Sequence, residues 1–519
     1  MTAERRGSAG GDGADLMMTD AASRAATNAT LDLPACSPGL EQTWAESFPE
    51  LSRPVTPVRP SDPRILVLGE EVARDLDLDP AYLGSAEGLR FLTGESFRDG
   101  RPPVAQLYAG HQWGVFKPVL GDGRAALLGE RRDSHGRLRD VHLKGIGPTP
   151  LSRVDGYAVV GPMLREFLMG EAMHALGVPT TRMLAVVATG RPRALDGSTL
   201  PGAVLARTAS SHVRFGSFEY VRAQGDMALL RRLADHVIAR HYPQAAEARH
   251  PYRALLEEIV GEVAGLTAHW MRLGFVHGVL STDNVLVAAE TVDYGPCAFL
   301  DAYEPGAHFS SIDRFGRYAY DRQPSIMRWN LERLGDALSP LLADETAAGE
   351  AVAAEIVAGF DAQYQRRWAE AFRAKLGLDV AVSAADAAAL AHDALSLLAE
   401  HRVDFTGFWR GLATAVEGDD RAVRDRFLGP VPELDTWLVR WRALAPDAAM
   451  MRVVNPRYIA RNHIVEEALQ AANEGDLTPF EQLLELLRKP YTERPGSEYL
   501  RFARPAPTGT APHRTFCGT

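Results

Sequence analysis

The stretch FVHGVLSTDNVLVAAETVDYGP, residues 275–296, concentrates the polar chemistry of this chain. A loop ends in Asp283-Asn284, the apolar run VLV follows, and an Asp293-Tyr294-Gly295 turn comes nine residues after Asn284. This spacing predicts a small hairpin within a strand-like segment, Gly278 to Leu300. Its neighbouring strands would bring an amide oxygen and a carboxylate together, a donor pair suited to one Mg2+ on phosphate oxygens. The competing reading is an Asx-turn hairpin whose Asp and Asn only cap the backbone. What lies upstream weighs between the two.

Lys144 sits in VHLKGIGPTPLSR, where alternation places Val141 and Leu143 on one face of a strand and His142 and Lys144 on the other. The chain has 56 Lys plus Arg, of which only four are lysines (Lys117, Lys144, Lys375, Lys489), so each lysine asks for a reason. Lysine is a compact point charge that reaches between phosphate oxygens, where arginine is a planar fork. About twenty residues earlier, Gly121-Asp122-Gly123-Arg124 precedes the strand AALLGE. Two glycines at a tight turn let backbone N–H groups approach phosphate, though an ordinary hairpin turn reads the same way. A glycine turn, a strand and then a strand lysine is the order by which kinase-type folds pin nucleotide phosphates. Lys117, before Pro118, reads as flanking a turn.

Glu166 lies 22 residues after Lys144 in a helix expected over Met163–Leu176, and an ion pair there would orient the ammonium. Arg207 and Arg214, seven apart in VLARTASSHVRFGSFE, suit a polyphosphate clamp or a solvated surface. His111, His142 and His277 have no metal-ligand spacing and read as structural. No GxxxxGK[ST], HExxH, CxxC or GxSxG occurs.

Composition bounds the rest. The 519 residues are 46% hydrophobic and 24% charged, with a net charge of −11 and three cysteines. Such a chain buries a large core, and it has too few cysteines for a disulfide framework. The acidic balance and lack of basic runs argue against nucleic acid as partner. No apolar run approaches a membrane span and no secretory h-region is seen, so a cytoplasmic protein is expected. Residues 1–30 read as a disordered tail and 31–218 as a β-rich lobe with one helix. Residues 219–420 read as a helical lobe holding the polar hairpin, and 421–519 as a helical extension ending in an extended Pro-, Gly- and Thr-rich tail. Helices are predicted over 226–241, 253–273, 326–341, 345–376, 383–400 and 462–473. The fold class is α+β, two-lobed and protein-kinase-like.

The longer motifs now bear on identity. YAGHQWGVFKPVLGDGRAALLGE, LKGIGPTPLSRVDGYA, REFLMGEAMHALGVPTTR, ARTASSHVRFGSFE, HGVLSTDNVLVAAETVDYGPCAFLD and the terminal FCGT resemble selenoprotein O and its bacterial relatives, from about residue 40 to the C-terminus. The resemblance implies a protein-kinase-like fold and a changed reaction. ATP would bind flipped, and AMP, not phosphate, would pass to Ser, Thr or Tyr hydroxyls of protein substrates. By motif, Gly121, Gly123 and Arg124 would contact the triphosphate. Lys144, oriented by Glu166, would sit on phosphate. Asp155, Gly156, Arg207 and Arg214 would complete the pocket. Asn284 and Asp293 would ligate Mg2+ or Mn2+, with Asp293 also on the nucleotide, and Asp283 would accept the proton.

Two departures stand out. An orthodox kinase spaces its catalytic Asp and metal-binding Asn five apart, whereas Asp283 and Asn284 are adjacent. The text VDGYA also stands where RDGRA-like text is common in the family. Some relatives carry selenocysteine near the end where this chain has Cys517. A Cys297–Cys517 disulfide that gates activity and two unrelated thiols are both open. A kinase and a non-catalytic nucleotide-binding scaffold remain as alternatives to adenylyl transfer.

Overall fold

A computed structural model of the chain describes residues 39–95, 101–195, 198–507, 509–511 and 513–515, all within one unit spanning 37–519. The expected tail 1–30, Cys36 and Cys517 lie outside the described residues.

Among the described residues twelve strands are formed: β1 (Ser52–Pro54), β2 (Arg64–Leu68), β3 (Val104–Gln106), β4 (Gly110–Gln112), β5 (Val115–Lys117), β6 (Ala125–Arg132), β7 (Leu138–Lys144), β8 (Ala158–Val159), β9 (Arg182–Leu195), β10 (Ser198–Ala209), β11 (Phe275–Val276) and β12 (Ala298–Phe299). Eight of them make an antiparallel sheet in the order β1-β3-β6-β7-β10-β9-β2, with β8 added against β10. Two-stranded pairs β4-β5 and β11-β12 stand apart from it.

Because side chains alternate along a strand, the central strands divide two cores. Val141 and Leu143 of β7, Ala126 and Leu128 of β6, and Val204 and Ala206 of β10 pack with Val72, Ala73, Leu83 and Phe91 of the short helices between β2 and β3. On the other face, Leu127 and Leu205 pack with Met163, Leu164 and Phe167 of helix Val160–Ala175. His142, Lys144 and Arg207 share that second face, since Leu205 pairs with Lys144 and Arg207 with His142.

Helix Val160–Ala175 starts three residues earlier than its periodicity predicts. Pro162 is tolerated there because the first turn's N–H groups have no intrahelical partner, and Asn473 Oδ1 accepts from Gly161 N at 3.0 Å. The helix is buried nearly all round, between the sheet and helices Asn462–Asn473 and Thr478–Leu487. Helices Met227–His241, Pro251–Leu273, Gln323–Leu342, Ala384–Glu400 and Asn462–Asn473 fall within three residues of expectation at either end. The single helix expected over 345–376 is two, Thr346–Ala358 and Phe360–Lys375, divided at Gly359. Among the described residues no helix is long and apolar enough to cross a membrane.

One expectation needs correction. Among its described residues Gly278 to Leu300 is not strand-like: it holds one two-residue strand, β12, which pairs with the preceding β11, a 3-10 turn, Thr282–Asn284, and isolated bridges from Leu286 to Arg214 and from Thr291 to Thr180. The VLV run turns away from its hairpin neighbour. Phe215 N donates to Val285 O at 2.9 Å and Val287 N to Val213 O at 2.9 Å. Further on, Thr181 N donates to Thr291 O and Thr291 N to Pro179 O. These non-local bonds satisfy the backbone of a buried irregular segment, as burial demands. The C-terminal stretch is also less uniform than expected, with a short helix Leu500–Ala503, a turn closed by Thr510 N to Pro507 O, and Thr515 bridging to Ser310.

Candidate active site

Sheet register brings the first cations together. Lys144, the last residue of β7, is flanked by Ala125 of β6, the residue after the Gly121–Arg124 turn, and by Leu205 of β10. Its Nζ donates to Glu166 Oε1 at 2.5 Å, across the sheet-to-helix interface. Glu166 is buried rather than an exposed helical carboxylate. Arg207, two positions along β10, places Nη1 at 3.7 Å from Glu166 Oε2. Arg214 precedes helix Phe215–Gln224 as its N-cap. Neither arginine is a surface residue: their side chains are 1% and 3% exposed.

All three cations converge on Asp293. Its Oδ1 accepts from Lys144 Nζ at 2.9 Å and Arg207 Nη1 at 2.8 Å, and its Oδ2 from Arg214 Nη1 at 2.9 Å. Burial by itself would raise this carboxyl, but the three neighbouring cations hold it well below the ordinary range. Asp293 adopts φ +62°, in the left-handed region that side chains other than glycine avoid. Arg165 fixes the following loop, donating to Gly295 O at 3.1 Å and Cys297 O at 2.7 Å.

The same Arg214 Nη1 also donates to the Asp283 carbonyl and lies 3.4 Å from Asn284 Oδ1. One positively charged atom therefore already bridges the two expected metal ligands. That arrangement fits a divalent cation held by two hard oxygen donors and completed by phosphate oxygens. Among the described residues no group of three or more His, Cys, Asp or Glu could hold a metal by itself, so such an ion would depend on its nucleotide.

Asp283 has a different setting from Asn284. Its Oδ2 accepts from Gln112 Nε2 at 3.0 Å, while Oδ1 is buried without a partner. Burial raises its carboxyl above the usual value, against hydrogen bonds from Ser281 and Gln112 and the nearby Arg214. Gly110 is packed against it so closely that a Cβ there would stand 2.6 Å from Asp283 Oδ1. The 3-10 turn is tied down from the side: His111 N donates to Thr282 Oγ1 at 2.8 Å, and the Thr282 hydroxyl and the His111 ring both meet the buried Glu219.

The glycine turn is built from within. Asp122 is buried, accepting from Gln106 N at 3.0 Å and contacting His142 Nε2 at 3.1 Å. His142 Nδ1 in turn accepts from Arg207 Nε at 3.3 Å, so a neutral imidazole, kept neutral chiefly by burial, links the glycine turn to Arg207. Gly121 has φ +138°, and a side chain there would collide with Leu151.

These groups line a cavity of about 460 Å³ that includes Gly121, Gly123, Arg124, Lys144, Glu166, Arg207, Arg214, Asp283, Asn284 and Asp293. Asp155 and Gly156 are not on its wall. Asp155 pairs with Arg193 at 2.9 Å and accepts from Tyr157 N, while the preceding Arg153 and Val154 line the mouth. Lys117 is exposed at the end of β5. Cys297 is fully buried, and burial pushes its thiol up to about 12. Thr515 Oγ1 donates to Pro296 O at 2.8 Å, one residue from that thiol. Sequence reasoning assigned no role to Gly110, Gln112 or Asp122. The only signal was their place in the glycine-rich text YAGHQWG…LGDG.

Comparison with known proteins finds one family along most of the chain. Residues 39–488 match the family model described as protein adenylyltransferase SelO. A protein nucleotidyltransferase YdiU of Mycolicibacterium paratuberculosis is 55% identical over 488 residues, covering 93% of this chain and 96% of the relative. Its counterpart in Pseudarthrobacter chlorophenolicus is 53% identical, covering 92% and 97%, and one in Cereibacter sphaeroides is 52% identical, covering 88% and 94%. With the match running through every element that builds the cavity, the chain belongs to the SelO family of protein adenylyltransferases.

Proposed function

We propose that this protein transfers AMP from ATP to Ser, Thr or Tyr hydroxyls of protein substrates in the cytoplasm, on a kinase-like fold. In that reading residues 31–218 are the N-lobe, 219–420 the helical C-lobe and 421–519 an extension. The observation that carries it is the grip of Lys144, Arg207 and Arg214 on one carboxylate inside the cavity. Three fixed cations so placed suit a polyphosphate, whose oxygens would take over the partners now held by Asp293.

The acceptor oxygen bonds to the α-phosphorus, the bond from that phosphorus to the bridging β-oxygen breaks, and pyrophosphate departs. Negative charge grows on the leaving oxygens, where preorganised cations stabilise it without reorganising. Glu166 keeps the Lys144 ammonium aimed at the phosphates. Asp283 accepts the hydroxyl proton, and its raised carboxyl makes it the stronger base for that task. Gly121, Gly123 and Arg124 would hold the triphosphate from the turn, with Asp155 and Gly156 supporting the loop beside it. Asn284 and Asp293 would hold Mg2+ or Mn2+, which when bound neutralises phosphate charge and aligns the displacement.

Parallel incubations with ATP labelled at the α or the γ position, followed on a gel for self-modification and transfer to lysate proteins, test this. Label from α only is expected. Label from γ only would make the protein a kinase, and neither label with ATP still bound would make it a scaffold.

A further inference from the structure

A second polar cavity, about 100 Å³, lies in the C-terminal helical region and belongs to none of the chemistry above. Four arginines wall it: Arg410 of helix Phe405–Val416, Arg426, Arg452 and Arg457, against a single lining carboxylate, Glu493. Gly411 makes the enclosure possible, because a Cβ there would stand 2.6 Å from Ala422 O and hold the next helix, Arg421–Arg424, away.

The positive charge of this wall is poorly answered. Arg410 is 7% exposed, and its guanidinium is held by neutral carbonyls: Arg452 O at 2.7 Å, Asn455 O at 3.1 Å and Tyr491 O at 3.3 Å. Its one carboxylate contact is Glu493 at 3.4 Å, itself two-thirds exposed. Arg426 reaches Asp404 at 3.2 Å, but that carboxylate already accepts two bonds from Arg461 and one from Gly407 N. Arg452 pairs with the exposed Glu417. No carboxylate among the described residues pairs with Arg457. Burial, together with the surrounding guanidiniums, holds Arg410 and Arg426 below the usual arginine value, in spite of Glu493, Asp404 and Asp425.

Convergent guanidiniums are the protein's fittest recognition device for planar or tetrahedral oxyanions. Nucleotide-sized ligands occupy cavities of roughly 300–1,000 Å³, so this one has room only for a small anion. We propose that the Arg410–Arg426–Arg452–Arg457 cavity is a binding site for a single small oxyanion of the phosphate class, separate from the nucleotide site.

The test titrates the full chain with orthophosphate, free of metal and nucleotide and at constant ionic strength, and follows the thermal midpoint. A ligand bound only by the folded state raises that midpoint with the logarithm of its concentration once that exceeds Kd. The wild type and Lys144→Ala should both show the rise, whereas Arg457→Ala should weaken apparent phosphate affinity by about tenfold or more. Arg457→Glu should raise the phosphate-free midpoint, by supplying the missing carboxylate, and abolish the response. Should Arg457→Glu fail to fold, Arg452→Gln serves, with a similar loss of phosphate affinity expected. A response lost in Lys144→Ala and kept in Arg457→Ala would place the phosphate in the nucleotide cavity and overturn the proposal. Absence of any such logarithmic rise in the wild type would overturn it equally.

Discussion

Replacing Asp293 by Asn tests the centre of the site most directly. The carboxylate answers three cations whose side chains are only 10% (Lys144), 1% (Arg207) and 3% (Arg214) exposed. The isosteric amide removes the charge and keeps the shape. Glu166 remains, 2.5 Å from Lys144 and 3.7 Å from Arg207, but no other carboxylate forms a salt bridge with Arg214 among the described residues. Leaving a buried ion uncompensated costs about 3–5 kcal/mol, so D293N should be destabilised by that order in nucleotide-free buffer. ATP in EDTA then supplies the missing negative charge. A ligand at a hundred times its Kd stabilises by about 2.7 kcal/mol, and the increment should be larger for the variant, because the polyphosphate no longer displaces a carboxylate. Urea unfolding of both proteins, with and without ATP and with EDTA throughout, measures all four quantities. AMP transfer with Mg2+ restored should be lost. A variant as stable as wild type without ATP would refute the argument for buried charge, and an ATP increment smaller than that of wild type would refute the cations as the phosphate site.

Glu166→Gln removes the charge that orients Lys144, and single-turnover transfer should slow by about a hundredfold while the fold, read by far-UV circular dichroism, is kept. Gly110→Ala drives a Cβ into Asp283; transfer should fall by at least tenfold with ATP affinity, measured by calorimetry in EDTA, unchanged. The pH dependence of stability follows from buried histidines. Burial, aided by Arg240, lowers the His236 imidazole from 6.5 to about 4. The unfolded chain therefore takes up a proton that the folded one refuses. That contribution to stability is full above pH 6.5 and is lost as pH falls toward 4. His236→Phe keeps the packing against Trp44 and Phe48 and should reduce the slope of stability against pH in this window by up to about 1.4 kcal/mol per unit; denaturant melts at pH 4.5, 5.5 and 6.5 read it.

Local pattern carried what is local. Alternation about Val141–Lys144 placed Lys144 on the polar face of its strand, apolar spacing found five helices to within three residues but ran 345–376 together and left out Phe405–Val416 and Pro432–Arg442, and the rarity of lysine singled out Lys144. These follow from side-chain period and residue chemistry, which neighbours in sequence supply. The long motifs also fixed the family. Tertiary structure decided the rest, because it depends on groups far apart in the chain. Whether Glu166, Arg207 and Arg214 are buried partners or solvated charges has no local signature; it was settled by β10 packing beside β7 and by helix Val160–Ala175 packing on their shared face. The segment around Asp283 read as strand because a short apolar run, Val285–Val287, follows its loop, yet its backbone bonds go to residues 179–181 and 213–215. Gly110 beneath Asp283, His142 between Asp122 and Arg207, and the four arginines around one small cavity are likewise products of chain crossing chain. Residue identity decides which charges the molecule owns, and only the fold determines which of them water no longer reaches.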